Sequence, residues 1–206
     1  MQEKELVQET EWMRVYRSGP KTFFFQSKFV SESLEIGSAS LKERWFSFTP
    51  MEQLEFANAF ILKPHLTAED QEILKFLMEK GSEYVWGTIA YLLPQYSDRE
   101  GALSFLLERI ASGGRCVSNY YQALEQVGDV RAIPLLRQRY EDYQMRVPPF
   151  EQHGPFSELS DYQVCCRTLW KLTGSPEYQD ALKELLHHSE ETIRRRAHFL
   201  LFDQWP

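Results

Sequence analysis

Turn and capping residues recur along this chain at a nearly fixed interval, and that recurrence limits its fold more than any other feature. Helix-opening signals fall at Thr67, Asp98, Asp129 and Ser175, so successive starts are separated by 31, 31 and 46 residues. Each start is followed by a second helical pattern and a stop. Thr67-Ala-Glu-Asp opens a helix that Gly81 closes, and Ser82 to Leu93 runs to Pro94. Ser97-Asp98 starts a helix ended by Gly113-Gly114, and Cys116 to Val127 stops at Gly128. Asp129 to Met145, Asp161 to Leu172, a helix capped by Ser175-Pro176-Glu177, and Glu190 to Asp203 complete the set. The reasoning is local: a polar cap accepts orphan N–H groups at a helix start, and glycine relieves the strained residue after the end. The longer last interval holds Val147-Pro-Pro-Phe-Glu-Gln-His-Gly-Pro-Phe156, a proline-rich insertion within 146–160.

Helix pairs repeating every 30 to 47 residues predict an all-α fold, an α-solenoid of about four antiparallel pairs. Gly128-Asp-Val-Arg-Ala-Ile-Pro-Leu-Leu136 resembles the opening of the first helix of short bacterial-type HEAT-like repeats. Glu190-Glu-Thr-Ile-Arg-Arg-Arg-Ala197 resembles the start of their second helix, and Tyr121 to Asp129 resembles the junction between repeats. The resemblance covers 97–140 and 175–202, thins over 67–94 and does not extend before 50. It implies a stack of helix pairs and no particular activity, since many roles share that scaffold. Ile193, Ala197, Leu200 and Leu201 form one apolar stripe that an isolated pair could not bury.

Residues 1–66 are expected to form an irregular N-terminal cap, and 67–206 the repeat domain. Glu3 to Tyr16 reads as an amphipathic helix carrying Leu6, Trp12, Met13 and Tyr16, and Thr22 to Ile36 as extended chain. Thr49-Pro50-Met51-Glu52 opens a helix to about Leu62, with proline in the first helical position.

The net charge of −7 argues against a general nucleic-acid binder. A polar start, Met1-Gln-Glu-Lys-Glu5, lacks the apolar core of a secretory signal. Apolar runs such as Phe23-Phe-Phe25 are too short to span a bilayer. Three cysteines, two of them adjacent (Cys165 and Cys166), suit reduced and packed thiols. A cytoplasmic location is therefore expected, with no membrane partner.

Signatures of chemistry are missing: no GxGxxG, phosphate loop, HExxH, paired CxxC or GxSxG occurs. His187 and His188 are neighbours rather than an i, i+4 pair, so no metal, cofactor or catalytic residue is expected. Projecting each second helix at 100° per residue gives the face that a solenoid turns to its concave side. Tyr91, Arg115, Asn119, Gln122, Arg167, Lys171, Arg195 and His198 fall on it, with Gln126, Gln163, Gly87 and Phe202, and Arg194 at its edge. That amide-rich, mildly basic surface suits a protein partner or acidic peptide, gripped through arginine–carboxylate contacts. Phe150, His153 and Phe156 of the insertion offer a second surface. The leading expectation is a non-enzymatic interaction module: a scaffold, adaptor or immunity-type inhibitor. The enzymatic alternative on a HEAT-like scaffold is an alkyl-base DNA glycosylase, which needs a strongly basic groove. Oligomeric state is not legible.

Overall fold

The computed structural model describes residues 5–9, 13–17, 23–27, 37–63, 65–114, 116–145 and 158–203. Every element from Ser38 onward is helical, as expected of an all-α chain. Strands occur, among the described residues, only at β1 (Glu5–Glu9), β2 (Met13–Arg17) and β3 (Phe23–Ser27), joined as an antiparallel sheet in chain order. Val15 lies opposite Phe25, and an irregularity interrupts the β1–β2 register between Leu6 and Gln8. The helix expected over Glu3 to Tyr16 is thus a strand pair. Glu5-Leu-Val-Gln-Glu9 and Met13-Arg-Val-Tyr-Arg17 carry short apolar groups that fit either period, and cross-strand hydrogen bonding decides. Extended chain was expected over 22–36, and β3 occupies 23–27 of it.

Among the described residues ten α-helices follow: α1 (Ser38–Arg44), α2 (Pro50–Phe60), α3 (Ala68–Lys80), α4 (Glu83–Ile89), α5 (Arg99–Ser112), α6 (Val117–Val127), α7 (Ile133–Met145), α8 (Glu158–Thr173), α9 (Pro176–Glu184) and α10 (Glu191–Phe202). α4 continues as a 3-10 stretch, Ala90–Gln95, and a 3-10 turn at Val130–Ala132 leads into α7. Pro134 therefore sits in the first turn of α7, where its missing N–H costs little.

Caps explain the boundaries. Thr49 and Thr67 each form a reciprocal capping box, with Glu52 and Asp70 respectively. Asp98 accepts the Gly101 N–H at 2.9 Å. Gly128 closes α6 at φ 70°, a conformation that glycine reaches without steric cost.

The chain divides into two compact units. The first comprises 1–89 with 95–97, and the second 90–94 with 98–206. The 66/67 boundary expected from sequence lies inside the first unit. There, α1 packs on α3 and α2 on α4. Its core centres on Trp45, fully buried and meeting Phe48, Phe56 and Phe76 edge-on at 6.0 to 6.1 Å. Asp70 is buried against Lys63. Burial works against its charge, yet the Lys63 and Thr67 hydrogen bonds prevail and hold its carboxyl below the ordinary range.

In the second unit α5 packs on α6, α7 on α8 and α9 on α10. In addition α6 meets α8, and α8 meets α10. Leu106, Ile110, Leu124, Leu136, Val164, Leu169 and Leu182 fill the layers between them. Polar side chains link these helices. Arg131 makes a two-pronged bond to Glu100 at 2.9 and 2.8 Å while holding Asp129. Thr168 Oγ1 donates to the Tyr121 carbonyl at 3.1 Å, and Gln163 Nε2 to that of Ile193 at 3.0 Å. No helix among the described residues is long and apolar enough to cross a membrane.

Candidate functional site

The second helices of the second unit place several expected residues on one stretch of surface. Tyr91, on the 3-10 stretch after α4, donates its hydroxyl to Asn119 Oδ1 on α6 at 3.0 Å. Burial pushes the Tyr91 phenol up, while the charge of Arg196 pulls it down. Gln122 is half-buried and Gln126 exposed on the same helix. Arg115 lies outside the described residues, as do Phe150, His153 and Phe156 of the insertion. Gln163 and Gly87, projected outward, are buried. The 100° projection misplaces Gln163 because α8 is flanked by α6 on one side and α10 on the other, so its polar edge is covered.

Arg167 is half-buried and occupied. Its Nε reaches both Glu125 carboxylate oxygens at 3.1 and 3.0 Å, and its Nη1 reaches the Leu200 carbonyl at 2.8 Å and Asp203 at 2.6 Å. Burial opposes the guanidinium charge, but the bonds to Glu125 and Asp203 outweigh it and raise the arginine further. It clasps α6, α8 and the end of α10 together. Lys171 is exposed, its ammonium 4.6 Å from the centre of the Trp170 ring.

On α10, three consecutive arginines take three different roles. Arg194 Nη1 donates to the carbonyls of His188 and Ser189 at 2.7 and 2.6 Å, tying down the turn before the helix. Arg195 is exposed and pairs with Glu191 one turn back at 2.6 Å. Leu186, Glu191, Arg194, Arg195 and His198 line an open depression of 520 Å³, and the His198 ring lies 4.8 Å from that of Phe202.

Arg196 differs from both. It is half-buried, and among the described residues it makes no hydrogen bond or ion pair. Burial lowers its pKa from the ordinary arginine value, although Asp161 and Tyr91 lie close enough to oppose that through their charge. Asp161, in the first turn of α8, is itself pushed up to about 6 by burial. Ser118 counters with bonds from its hydroxyl and N–H, and Arg196 counters with its charge. The site thus holds a desolvated cation and a desolvated acid at distances where their fields overlap without a direct bond. Sequence reading missed Arg196, although the signal existed: it stands three residues after Ile193 and four before Leu200, beside the apolar stripe. Asp161 was read as a helix-start acid, which it also is.

Cys165 and Cys166 are fully buried, and Cys165 Sγ donates to the Leu136 carbonyl at 3.5 Å. Burial pushes the Cys166 thiol up to about 12, so both are packing groups rather than thiolates. Among the described residues, no group of three or more His, Cys, Asp and Glu could hold a metal ion. No family model, curated protein or solved structure matches the chain.

Proposed function

We propose that the chain is a non-enzymatic interaction module of HEAT-like helix pairs whose second-helix face binds an acidic segment of a protein partner. Arg196 carries this reading. A guanidinium taken partly out of water, with no counter-ion in contact among the described residues, is expensive to keep unless something anionic completes it. An incoming carboxylate would do so with charge-assisted, two-pronged hydrogen bonds. Arg194 and His198 on the neighbouring face of α10 add to the attraction, and Tyr91 and Asn119 supply neutral polar contacts. In support of the repeat architecture, starts at Ser38, Ala68, Arg99 and Val130 are 30, 31 and 31 residues apart, and second helices pack on second helices. A solenoid of about four antiparallel pairs from residue 67, extended by α1 and α2, accounts for that period. The nucleic-acid alternative is weaker on the same ground. Arg167 is committed to Glu125 and Asp203, and Arg195 to Glu191.

The test uses two fluorescent decapeptides, one alternating Glu and Ser and one alternating Gln and Ser. Fluorescence anisotropy should report binding of the first only, lost in Arg196→Gln and retained in Lys171→Gln. Equal binding of both peptides, or full binding by Arg196→Gln, overturns the reading. So does a double-stranded DNA oligonucleotide that binds with a steep salt dependence.

A further inference from the structure

We infer that Asp161 makes the second-helix face sensitive to pH, weakening its hold on an acidic segment when ionised and strengthening it when protonated; this rests on the binding reading given above. Behind it stands a cluster that joins three helices. The cap position of α6, Cys116, has a left-handed backbone at φ 71° and makes no side-chain capping bond. The N–H of Ser118, in the first turn, has no partner within the helix. That N–H and the Ser118 hydroxyl both donate to Asp161 of α8. One carboxyl group thus caps α6 while standing in the first turn of its own helix. On a third side Arg196 of α10 acts on it, and it on Arg196, through space rather than by a bond among the described residues.

Other ionisable groups around Asp161 come from each neighbouring element. Tyr121 lies on α6, Arg139, Asp142 and Tyr143 on α7, and Glu158 and Cys165 on α8 itself. α9 adds none to the 210 Å³ pocket that these side chains, Cys165 aside, share with Asp161. Burial pushes both phenols and the thiol up, so all three keep their protons at neutral pH. Arg139 is committed to the Ile110 and Ala111 carbonyls, each at 2.8 Å, and stands 3.7 Å from Asp142.

Opposed forces meet at the Asp161 carboxyl. Burial and the like charge of Glu158 oppose its ionisation, while the Ser118 bonds and Arg196 favour it. Burial prevails and the group is pushed up to about 6. It is half-buried rather than sealed, so it exchanges protons with solvent. Ionised, it supplies part of the negative field that Arg196 lacks and repels a second anion. Protonated, it still offers Ser118 an acceptor oxygen, so the cap persists while Arg196 is left uncompensated. An acidic segment therefore gains affinity as pH falls through about 6.

The test compares the parent with Asp161→Asn, which keeps an acceptor oxygen for Ser118 but cannot ionise. Affinity for the Glu–Ser decapeptide is read by anisotropy at about pH 5.5 and 7.5, where the peptide's own carboxylates stay ionised. Histidines titrate alike in both proteins, so the ratio of their affinities isolates Asp161. The variant should bind about fivefold more tightly than the parent at the higher pH, and the gap should narrow at the lower. By reciprocity, saturating peptide should raise the titration midpoint of the Asp161 carboxyl carbon, followed by ¹³C NMR in the full chain. Arg196→Gln should raise that midpoint without peptide. Binding that depends on Arg196 but shows equal affinities for parent and variant at both pH values overturns this proposal alone. So does an Asp161 midpoint at the ordinary value of about 4. Absence of peptide binding at either pH overturns the underlying reading and this proposal with it.

Discussion

The two compact units solve the same packing problem with different materials. In the first, Trp45, Phe56, Phe60, Leu74 and Leu77 make an interior that is almost entirely apolar among the described residues, and the one buried charge among them, Asp70, is neutralised by Lys63. In the second, Ser118, Ser160, Gln163 and Thr168 are buried among the leucines, and Arg167, Asp161 and Arg196 are held partly out of water. An apolar interior stabilises by area and tolerates approximate fit. A polar one stabilises only when every partner is in place, but it fixes register and leaves oriented groups at the surface. The candidate binding face belongs to the second unit for this reason.

The sharpest way to probe the contrast is to remove the centre of the apolar unit. Trp45→Ala should cost about 3–5 kcal/mol, measured as the loss in urea unfolding free energy. The ring contacts to Phe48, Phe56 and Phe76 go with it, while binding of the acidic peptide should persist wherever the protein remains folded. Arg167→Ala should cost about 1–3 kcal/mol by leaving two carboxylates without their hydrogen-bonded counter-ion. A double-mutant cycle with Glu125→Ala should return most of that as coupling. Additive losses would mean that the second unit rests on area as the first does.

Asp161 gives a smaller effect with a definite sign. Its carboxyl is raised from 3.8 to about 6 in the folded state, so the folded protein holds the proton more tightly than the unfolded chain. The contribution favours folding fully below the ordinary pKa and is lost as pH rises through about 6. Melting temperatures of the parent and Asp161→Asn should therefore diverge between pH 4 and 7 in favour of the variant. An unchanged difference across that window would show that the acid is not desolvated. Smallest of all, Arg195→Ala should change stability by less than about 0.5 kcal/mol, because its pair with Glu191 is exposed.

Boundaries were legible where a side chain writes them into the neighbouring backbone. Thr49, Thr67 and Asp98 at starts, and Gly113 and Gly128 at ends, mark five of them. α1 escaped notice because its cap, Gly37, makes no side-chain hydrogen bond and the helix has only seven residues. β1 and β2 were misread because two five-residue strands present too few positions to separate a period of 2 from one of 3.6. At the candidate site, Tyr91 and Asn119 could be projected onto a face because a helix fixes angles. The partners of Arg167 could not, since Glu125 lies 42 residues away and only the stacking of helices brings it near. The same holds for Arg196 with Tyr91.

The clasp formed by Arg167 also has a mechanical meaning. The last turn of a helix leaves its carbonyls without intrahelical partners and is ordinarily where it frays. Here the Leu200 carbonyl and the Asp203 carboxylate in the final turn of α10 are both anchored to Arg167, which is itself braced on Glu125 of α6. A pull applied beyond Asp203 would be felt at once by α8 and α6 through this one guanidinium, instead of unwinding the end of α10 alone.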